Sequence, residues 1–217
     1  MEKSNQTGIL GRMVITYYGQ AFTRLQFGDM VVAVNPISRD FDAKAPKFGA
    51  DIALISQNHK IFNGKDNVSF GSKEAFIIDG PGEYELSGVF IKGFSSVGPH
   101  GRVNTIYEVE LEGMHIVHLG GLADEKILPD VLEEISGADI VFAPLGDGDS
   151  LDYKNMAKLV KSIEAKIVVP ILFDKDSLTS FIKEMGSDKV EPTDKLSLKR
   201  KDLDGKSGDV MVLIEAK

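Results

Sequence analysis

The imidazole and thiol side chains that ligate zinc are scarce in this chain. It has four histidines, His59, His100, His115 and His118, and no cysteine. His59 and His118 each follow an apolar run typical of a strand, and side chains at strand ends can converge. His115 and His118 are three residues apart on one predicted strand, so they point to opposite faces of its sheet. Zinc sites use three or four protein ligands, so the histidines predict at most a residual metal site.

The segment Leu54–Asn63 resembles a metal-binding signature. It corresponds to the His-x-His-x-Asp-His motif of the metallo-β-lactamase superfamily, whose side chains hold two zinc ions. At the four ligand positions this chain has Gln57, His59, Ile61 and Phe62. Isoleucine and phenylalanine have no lone pair to give to a metal. The resemblance therefore implies the superfamily's fold but keeps only His59 of this motif.

Other segments extend the resemblance from about Met13 to about Asp174. They are similar to the branch of the superfamily that includes ascorbate-6-phosphate lactonase. The most specific match is Gly80–Glu85, followed by Gly88–Gly93. The remaining matching segments are Tyr17–Ala21, Asn35-Pro36, Asn104–Tyr107, His118–Leu122, Asp139–Gly146 and Lys166–Phe173. The resemblance thus covers most of the chain.

Further ligands of the family's site are replaced in these segments. Gly121 stands where the family has the aspartate of His-Leu-Gly-Asp, and Leu172 stands where it has the histidine of Pro-Met-His-Tyr. Gln20 is a further change from histidine to glutamine near the site. The resemblance leaves His59 and His118 as residual metal ligands. The family's dinuclear site draws on about four or five imidazoles, which this sequence does not supply.

These replacements indicate a lost metal centre. Metal-assisted hydrolysis depends on an ion that lowers the pKa of bound water. We therefore expect a non-catalytic pseudo-hydrolase with a binding or assembly role and no cofactor. The alternative is a divergent metal-dependent hydrolase of a small phosphorylated lactone or ester, in which His59 and His118 hold one weakly bound zinc or manganese ion. The residues expected to line the pocket are Gln20, Gln57, Asn58, Glu83, Tyr84, Asn104, Gly121 and Asp147.

The net charge and the composition restrict the classes of binding partner that we expect for this chain. The formal net charge of −8 and the pI near 5.1 argue against a nucleic-acid surface. The basic run Lys195–Lys201 alternates with apolar residues and is typical of a solvated strand face. The sequence has no apolar run long enough for a membrane span, and Met1–Arg12 lacks the apolar core of a signal peptide. We expect a cytoplasmic protein whose partner is a small polar ligand or another protein, and a homo-oligomer is compatible with the sequence.

The pattern of elements predicts an α/β (α+β) fold, a four-layer αββα sandwich. With 217 residues, of which 42% are apolar, the chain is expected to form one domain over 1–217, with residues 1–12 flexible. The predicted early strands are Met13–Tyr17, Phe22–Phe27, Met30–Val34, Ile52–Ile55, Ala75–Ile78, Val89–Ile91, Thr105–Leu111 and His115–Leu119. Gly28-Asp29 predicts a hairpin turn between the second and third.

The second half of the chain alternates between helix and strand. The predicted elements are helix Lys126–Ile135, strand Ile140–Ala143, helix Tyr153–Ile163, strand Ile167–Val169 and helix Ser177–Met185. Asp152 or Ser150 can cap the middle helix, Asp174 or Asp176 can cap the last helix, and Gly186 can end it. A final hairpin is expected from Leu196–Arg200 and Val210–Glu215.

Overall fold

The computed structural model describes residues 11–42, 44–146 and 150–216. Its strands, in chain order, are β1 Met13–Tyr17, β2 Thr23–Phe27, β3 Met30–Val34, β4 Ile52–Leu54, β5 Phe76–Ile78, β6 Gly82–Leu86, β7 Val89–Val97, β8 Val103–Leu111, β9 Met114–His118, β10 Ile140–Pro144, β11 Ile167–Ile171, β12 Leu196–Leu198 and β13 Asp209–Val210. Its helices are α1 Pro129–Ile135, α2 Tyr153–Ile163 and α3 Lys175–Glu184.

The described strands form two mixed sheets. The six-stranded sheet has the order β12-β1-β2-β3-β4-β5, and the seven-stranded sheet has the order β13-β11-β10-β9-β8-β7-β6. Strands β3, β4 and β5 are parallel, as are β9, β10, β11 and β13. The carboxyl ends of these parallel strands meet at one end of the sandwich, which is where open α/β sheets carry binding clefts.

The core lies between the sheets and follows the period-two alternation of strands. Along β3, Val32 and Val34 face the interior, whereas Val31 and Ala33 face an outer apolar cluster. Tyr107 of β8 reaches across the interior, where its hydroxyl lies 3.0 Å from the carbonyl oxygens of both Ile55 and Ile78. This side chain therefore joins the seven-stranded sheet to the ends of β4 and β5.

The helices cover the outer face of the seven-stranded sheet. Asp152 caps α2 by accepting hydrogen bonds from the backbone N–H groups of Lys154 and Asn155. Asp174 caps α3 in a reciprocal capping box with Ser177, and Gly186 follows the helix with φ of +84°. On the six-stranded sheet, the described outer layer consists of irregular segments over residues 36–42 and 44–51 together with a short 3₁₀ turn at Lys65–Asn67.

The structure has one strand that the sequence did not predict, and it pairs the last two strands differently from the predicted hairpin. Gly82–Leu86 forms a strand that pairs with β7, because the turn that reverses the chain lies at Ser87-Gly88. The final hairpin prediction is wrong, since β12 pairs with β1 in one sheet and β13 pairs with β11 in the other. The buried leucines of β12 complete the edge of the interior beside Met13 and Ile15, which a local hairpin would leave uncovered.

Residues 1–10 of the predicted flexible N-terminal segment lie outside the described residues. Within the described part, Arg12 donates a hydrogen bond of 3.0 Å to the Ser197 hydroxyl. In residues 11–42, 44–146 and 150–216, we find no helix that combines the length and the apolar character needed to cross a bilayer.

Candidate functional site

A cleft of about 470 Å³ opens at the end of the sandwich where the parallel strands terminate. This volume lies in the range that small-molecule sites in proteins occupy. The loops after β1, β3, β4, β7, β10 and β11 supply its walls. The lining residues are Tyr17, Gln20, Phe41, Gln57, His59, Ile61, Phe62, Pro99, His100, Arg102, Gly146, Ser150, Leu172, Phe173 and Asp174.

The cleft contains three of the polar residues that the sequence nominated, namely Gln20, Gln57 and His59. Asn104 and Gly121 lie buried behind Gln57, which contacts both. The structure therefore gathers these five residues at one end of the molecule.

The other nominated residues lie elsewhere. Asn58 is exposed and accepts a hydrogen bond from Asn63, and Tyr84 packs against the core from β6. Glu83 lines a separate shallow surface pocket beside Lys92 and α1. Asp147 lies outside the described residues.

Sequence reasoning missed several residues of the cleft, among them Tyr17, Phe41, Arg102 and Phe173. Tyr17 and Phe173 could have been predicted from the sequence. Tyr17 is the last residue of β1 and Phe173 follows the end of β11, so both lie at the edge of the sandwich that carries the cleft. Arg102 and Phe41 lie in loops whose path depends on contacts distant in sequence.

A buried network of amide groups lies where the family places metal ligands. The Gln57 Nε2 group donates to Asn104 Oδ1 at 3.1 Å and to the Gly121 carbonyl at 3.2 Å. The Gly121 backbone N–H donates to the same Asn104 oxygen at 2.8 Å. Asn104 Nδ2 in turn donates to the Leu119 carbonyl and to the Ser96 hydroxyl. These mutual bonds hold the Gln57 side chain in the position that a ligand would need.

Gly121 has no room for a side chain. A Cβ atom at this position would lie 2.5 Å from Gln57 Nε2 and 2.7 Å from Phe62 Cζ. Both neighbours are almost fully buried, so neither can move aside easily. Three positions that carry ligands in the family thus fill one another's space here with an amide, a phenyl ring and a glycine.

The backbone at Leu172 and Gln20 is strained. Both residues have positive φ angles, +50° and +52°, and a left-handed conformation is unusual for leucine. The Leu172 N–H donates to the Gln20 carbonyl at 2.9 Å, and the Tyr17 hydroxyl donates to the same oxygen at 2.9 Å. These bonds hold position 172 so that it lines the cleft, with an apolar side chain in place of an imidazole.

His59 is half-buried on the cleft wall. Its Nδ1 atom is shielded from solvent and has no hydrogen-bond partner among the described residues. Burial lowers the pKa of His59, and the positive charges of Arg102 and Lys60 lower it further. The ring is therefore neutral at neutral pH.

His118 lies in the core and not in the cleft. Its ring is 1% exposed and stacks on Phe142 with the ring centroids 5.1 Å apart. The Gly120 N–H donates to Nδ1 at 3.1 Å, which assigns the proton of the neutral ring to Nε2. Burial lowers the pKa of His118 to about 3, although the nearby Ala21 backbone opposes the shift. Within the part of the chain that the structure describes, Nε2 has no partner of normal hydrogen-bond geometry.

This buried imidazole makes the free energy of unfolding depend on pH. Below the ordinary histidine pKa of 6.5, the unfolded chain takes up a proton that the folded chain refuses until about pH 3. We expect His118 to cost about 1.4 kcal/mol of stability per pH unit as the pH falls through this window. His118→Asn keeps an acceptor for the Gly120 N–H but cannot titrate, so its stability should fall less steeply from pH 6 to pH 4. Urea unfolding at each pH measures both slopes, and equal slopes would contradict the assignment.

The described residues do not fit the family's metal centre. Within residues 11–42, 44–146 and 150–216, no three histidine, cysteine, aspartate or glutamate side chains converge as a metal site requires. Among the described residues, His59 lines the cleft, whereas His118 is buried against Phe142 and is not one of the lining residues. Ile61, Phe62 and Leu172 offer no donor atom.

Comparison with known proteins identifies the family. The model of the beta-lactamase superfamily domain matches residues 14–172. A UPF0173 metal-dependent hydrolase from Anoxybacillus flavithermus is 26% identical over 203 residues, with 75% of this chain and 86% of that protein covered.

Solved structures agree with this match. A Thermotoga maritima protein described as a Zn-dependent hydrolase of the metallo-β-lactamase superfamily superposes with a TM-score of 0.76 at 26% identity, covering 93% of this chain and 98% of that one. A Parabacteroides distasonis protein described as a metal-dependent hydrolase shares the fold, with a TM-score of 0.68 at 16% identity and coverage of 95% and 94%. The described residues form two packed sheets and three α-helices, and the chain belongs to the metallo-β-lactamase superfamily, as its sequence motifs predict.

Proposed function

We propose that this protein is a non-catalytic member of its superfamily and that it uses the cleft to bind a small polar ligand. The amide network of Gln57, Asn104 and Gly121 is the observation that carries this proposal, because Gln57 and Gly121 stand at ligand positions of the family and bond to each other and to Asn104. Amide nitrogen atoms carry protons and do not ligate zinc. The cleft has a volume of about 470 Å³, but its described side chains offer too few donors to hold an ion.

The chemistry of the remaining side chains supports the same proposal. Hydrolysis in this superfamily uses a metal ion to generate hydroxide at neutral pH and to polarise the substrate. Metal-free hydrolysis would need a nucleophile with a base in hydrogen-bond reach. Ser150 and His59 both line the cleft, yet no hydrogen bond joins them in the structure. The cleft is therefore better suited to holding a molecule than to cleaving it.

A divergent metal-dependent hydrolase is the second candidate. Its support is that the similar proteins from Anoxybacillus flavithermus and Thermotoga maritima are described as metal-dependent or Zn-dependent hydrolases. His59 also remains on the cleft wall. Under this reading a small phosphorylated lactone or ester would be hydrolysed with one zinc or manganese ion.

Metal content separates the two candidates. We expect purified, untagged protein to carry far less than one metal ion per chain by elemental analysis, because the described donors are too few. Calorimetric titration with zinc or manganese should give no saturable heat. Lactone, carboxyl ester and phosphoester substrates should not be hydrolysed above background with either ion added.

Two variants distinguish a metal ion bound in the cleft from metal bound at the surface. His59→Ala removes the imidazole of the cleft, and His115→Ala removes one on β9 that does not line the cleft. One bound metal ion per chain that is lost in His59→Ala and kept in His115→Ala would overturn the proposal in favour of the hydrolase. Metal lost equally in both variants, without hydrolysis, would reflect surface binding and leave the proposal standing.

A further inference from the structure

We propose that the ligand of the cleft is a small organic anion with a flat apolar body. This inference rests on the proposed function and names its ligand class. Three features of the cleft support this inference. They are basic groups near its wall, an apolar and aromatic floor, and a carboxylate that is hydrogen-bonded to the start of α3.

The basic groups are Arg102 and Lys60. Arg102 lines the cleft and is exposed, and the Lys60 ammonium lies 5.5 Å from the centre of the Phe41 ring on the cleft wall. Both charges act on His59, whose pKa they lower. In the part of the chain that the structure describes, neither Arg102 nor Lys60 forms an ion pair. Both cations therefore lie near His59 and the cleft wall, in a chain whose net charge is −8.

The floor of the cleft is apolar because the ligand positions have been replaced. Ile61, Phe62 and Leu172 line it, and all three pack against the core between the sheets. Tyr17 and Phe173 stack at 6.2 Å between ring centroids along the wall. A floor of this kind holds a planar or branched apolar group and excludes water from it.

Asp174 is the carboxylate among the described lining residues. Its Oδ1 atom accepts hydrogen bonds of 2.8 Å from the backbone N–H groups of both Asp176 and Ser177. These bonds hold the pKa of Asp174 below its ordinary value and direct its charge to the start of α3. The charge of Asp174 is thus partly offset by the positive end of α3, whose backbone N–H groups it caps.

The basic groups and the apolar floor together favour a ligand that has an anionic group at one end and an apolar ring at the other. A carboxylate, sulfonate or phosphate can bond to Arg102 and Lys60, because charge-assisted hydrogen bonds are the stronger kind. A ring system can lie on the floor below. The volume of about 470 Å³ suits a molecule of one or two fused rings and not a polymer.

A pair of fluorescent probes tests this inference. 1-Anilinonaphthalene-8-sulfonate carries an acidic group on an aromatic body, and N-phenyl-1-naphthylamine has the same body without the charge. In buffer containing EDTA, we expect the sulfonate to bind at one saturable site roughly tenfold more tightly than the neutral probe. Arg102→Gln should weaken the sulfonate roughly tenfold and leave the neutral probe unchanged, whereas Phe41→Ala should weaken both.

Matched controls exclude general surface binding. Arg200→Gln removes an exposed arginine outside the cleft, and Phe90→Ala removes a phenylalanine that is 49% exposed, against 43% for Phe41. Neither control should change either affinity, and thermal melting verifies that all four variants fold. Equal affinity for the two probes, or equal weakening in Arg102→Gln and Arg200→Gln, would overturn the inference.

Different experiments test the anion site and the non-catalytic function, so either can be overturned without the other. EDTA makes the probe result independent of metal binding. Selective binding of the sulfonate, together with metal-dependent hydrolysis in the earlier experiment, would keep the anion site and overturn the non-catalytic assignment. Absence of selective binding, together with absence of metal and hydrolysis, would overturn the anion site alone.

Discussion

Gly121→Asp is expected to lower the free energy of unfolding by more than about 3 kcal/mol, although it restores a residue type that the family uses for metal binding. The new Cβ would lie within 2.7 Å of Gln57 Nε2 and Phe62 Cζ, so the core must shift to admit it. The carboxylate would also be buried beside an Asn104 oxygen that already accepts two hydrogen bonds. Urea unfolding followed by circular dichroism measures the loss.

The control for Gly121→Asp is Gly80→Asp. A Cβ at Gly80 meets no atom within 4 Å, so this variant should stay within about 1 kcal/mol of the parent chain. In a Gln57→Ala background, the extra loss from Gly121→Asp should shrink by at least about 1 kcal/mol, because the nearest clash is gone. Strict additivity of the two changes would show that positions 57 and 121 do not compete for the same space.

Asn104→Ala is expected to cost about 3–4 kcal/mol. The Asn104 side chain is fully buried. It accepts hydrogen bonds from the Gln57 side chain and the Gly121 backbone N–H, and it donates hydrogen bonds to the Ser96 hydroxyl and the Leu119 carbonyl. Removing it leaves several of these groups buried without partners, and this costs more than the net value of the bonds themselves. Guanidinium unfolding gives the midpoint and slope from which the loss is calculated.

Asn58→Ala serves as the control for the change at Asn104. Asn58 is exposed and makes one side-chain hydrogen bond, to Asn63, so its replacement should change stability by less than about 0.5 kcal/mol. If Asn104→Ala were equally mild, the amide network would be incidental to the fold. The proposed function would then lose the observation that carries it.

Local patterns were enough to predict most of the framework. The alternation in β3 and the Gly28-Asp29 turn are properties of a few consecutive residues, and the structure confirms both. α2 spans Tyr153–Ile163, the range that its apolar spacing predicts. The loss of donors at Ile61, Phe62 and Leu172 follows from residue type alone.

The interior of the site could not be predicted, because its contacts join distant parts of the chain. Gln57 meets Asn104 and Gly121 across 47 and 64 residues, and nothing local specifies either bond. The period of β9 indicates that His115 and His118 face opposite ways, but not which of them faces the core. That choice depends on packing against Phe142 of the neighbouring strand.

The mutual filling of positions 57, 62 and 121 also bears on how this lineage can change. A substitution that places the family's aspartate at position 121 meets two buried neighbours, Gln57 and Phe62, so it destabilises the fold before it can contribute to metal binding. Under the proposed non-catalytic function, the loss of a metal ligand is therefore easier to accept than its restoration. Laboratory evolution toward zinc hydrolysis would need libraries that vary Gln57, Phe62 and Gly121 together, since one-step libraries would return mainly unstable proteins.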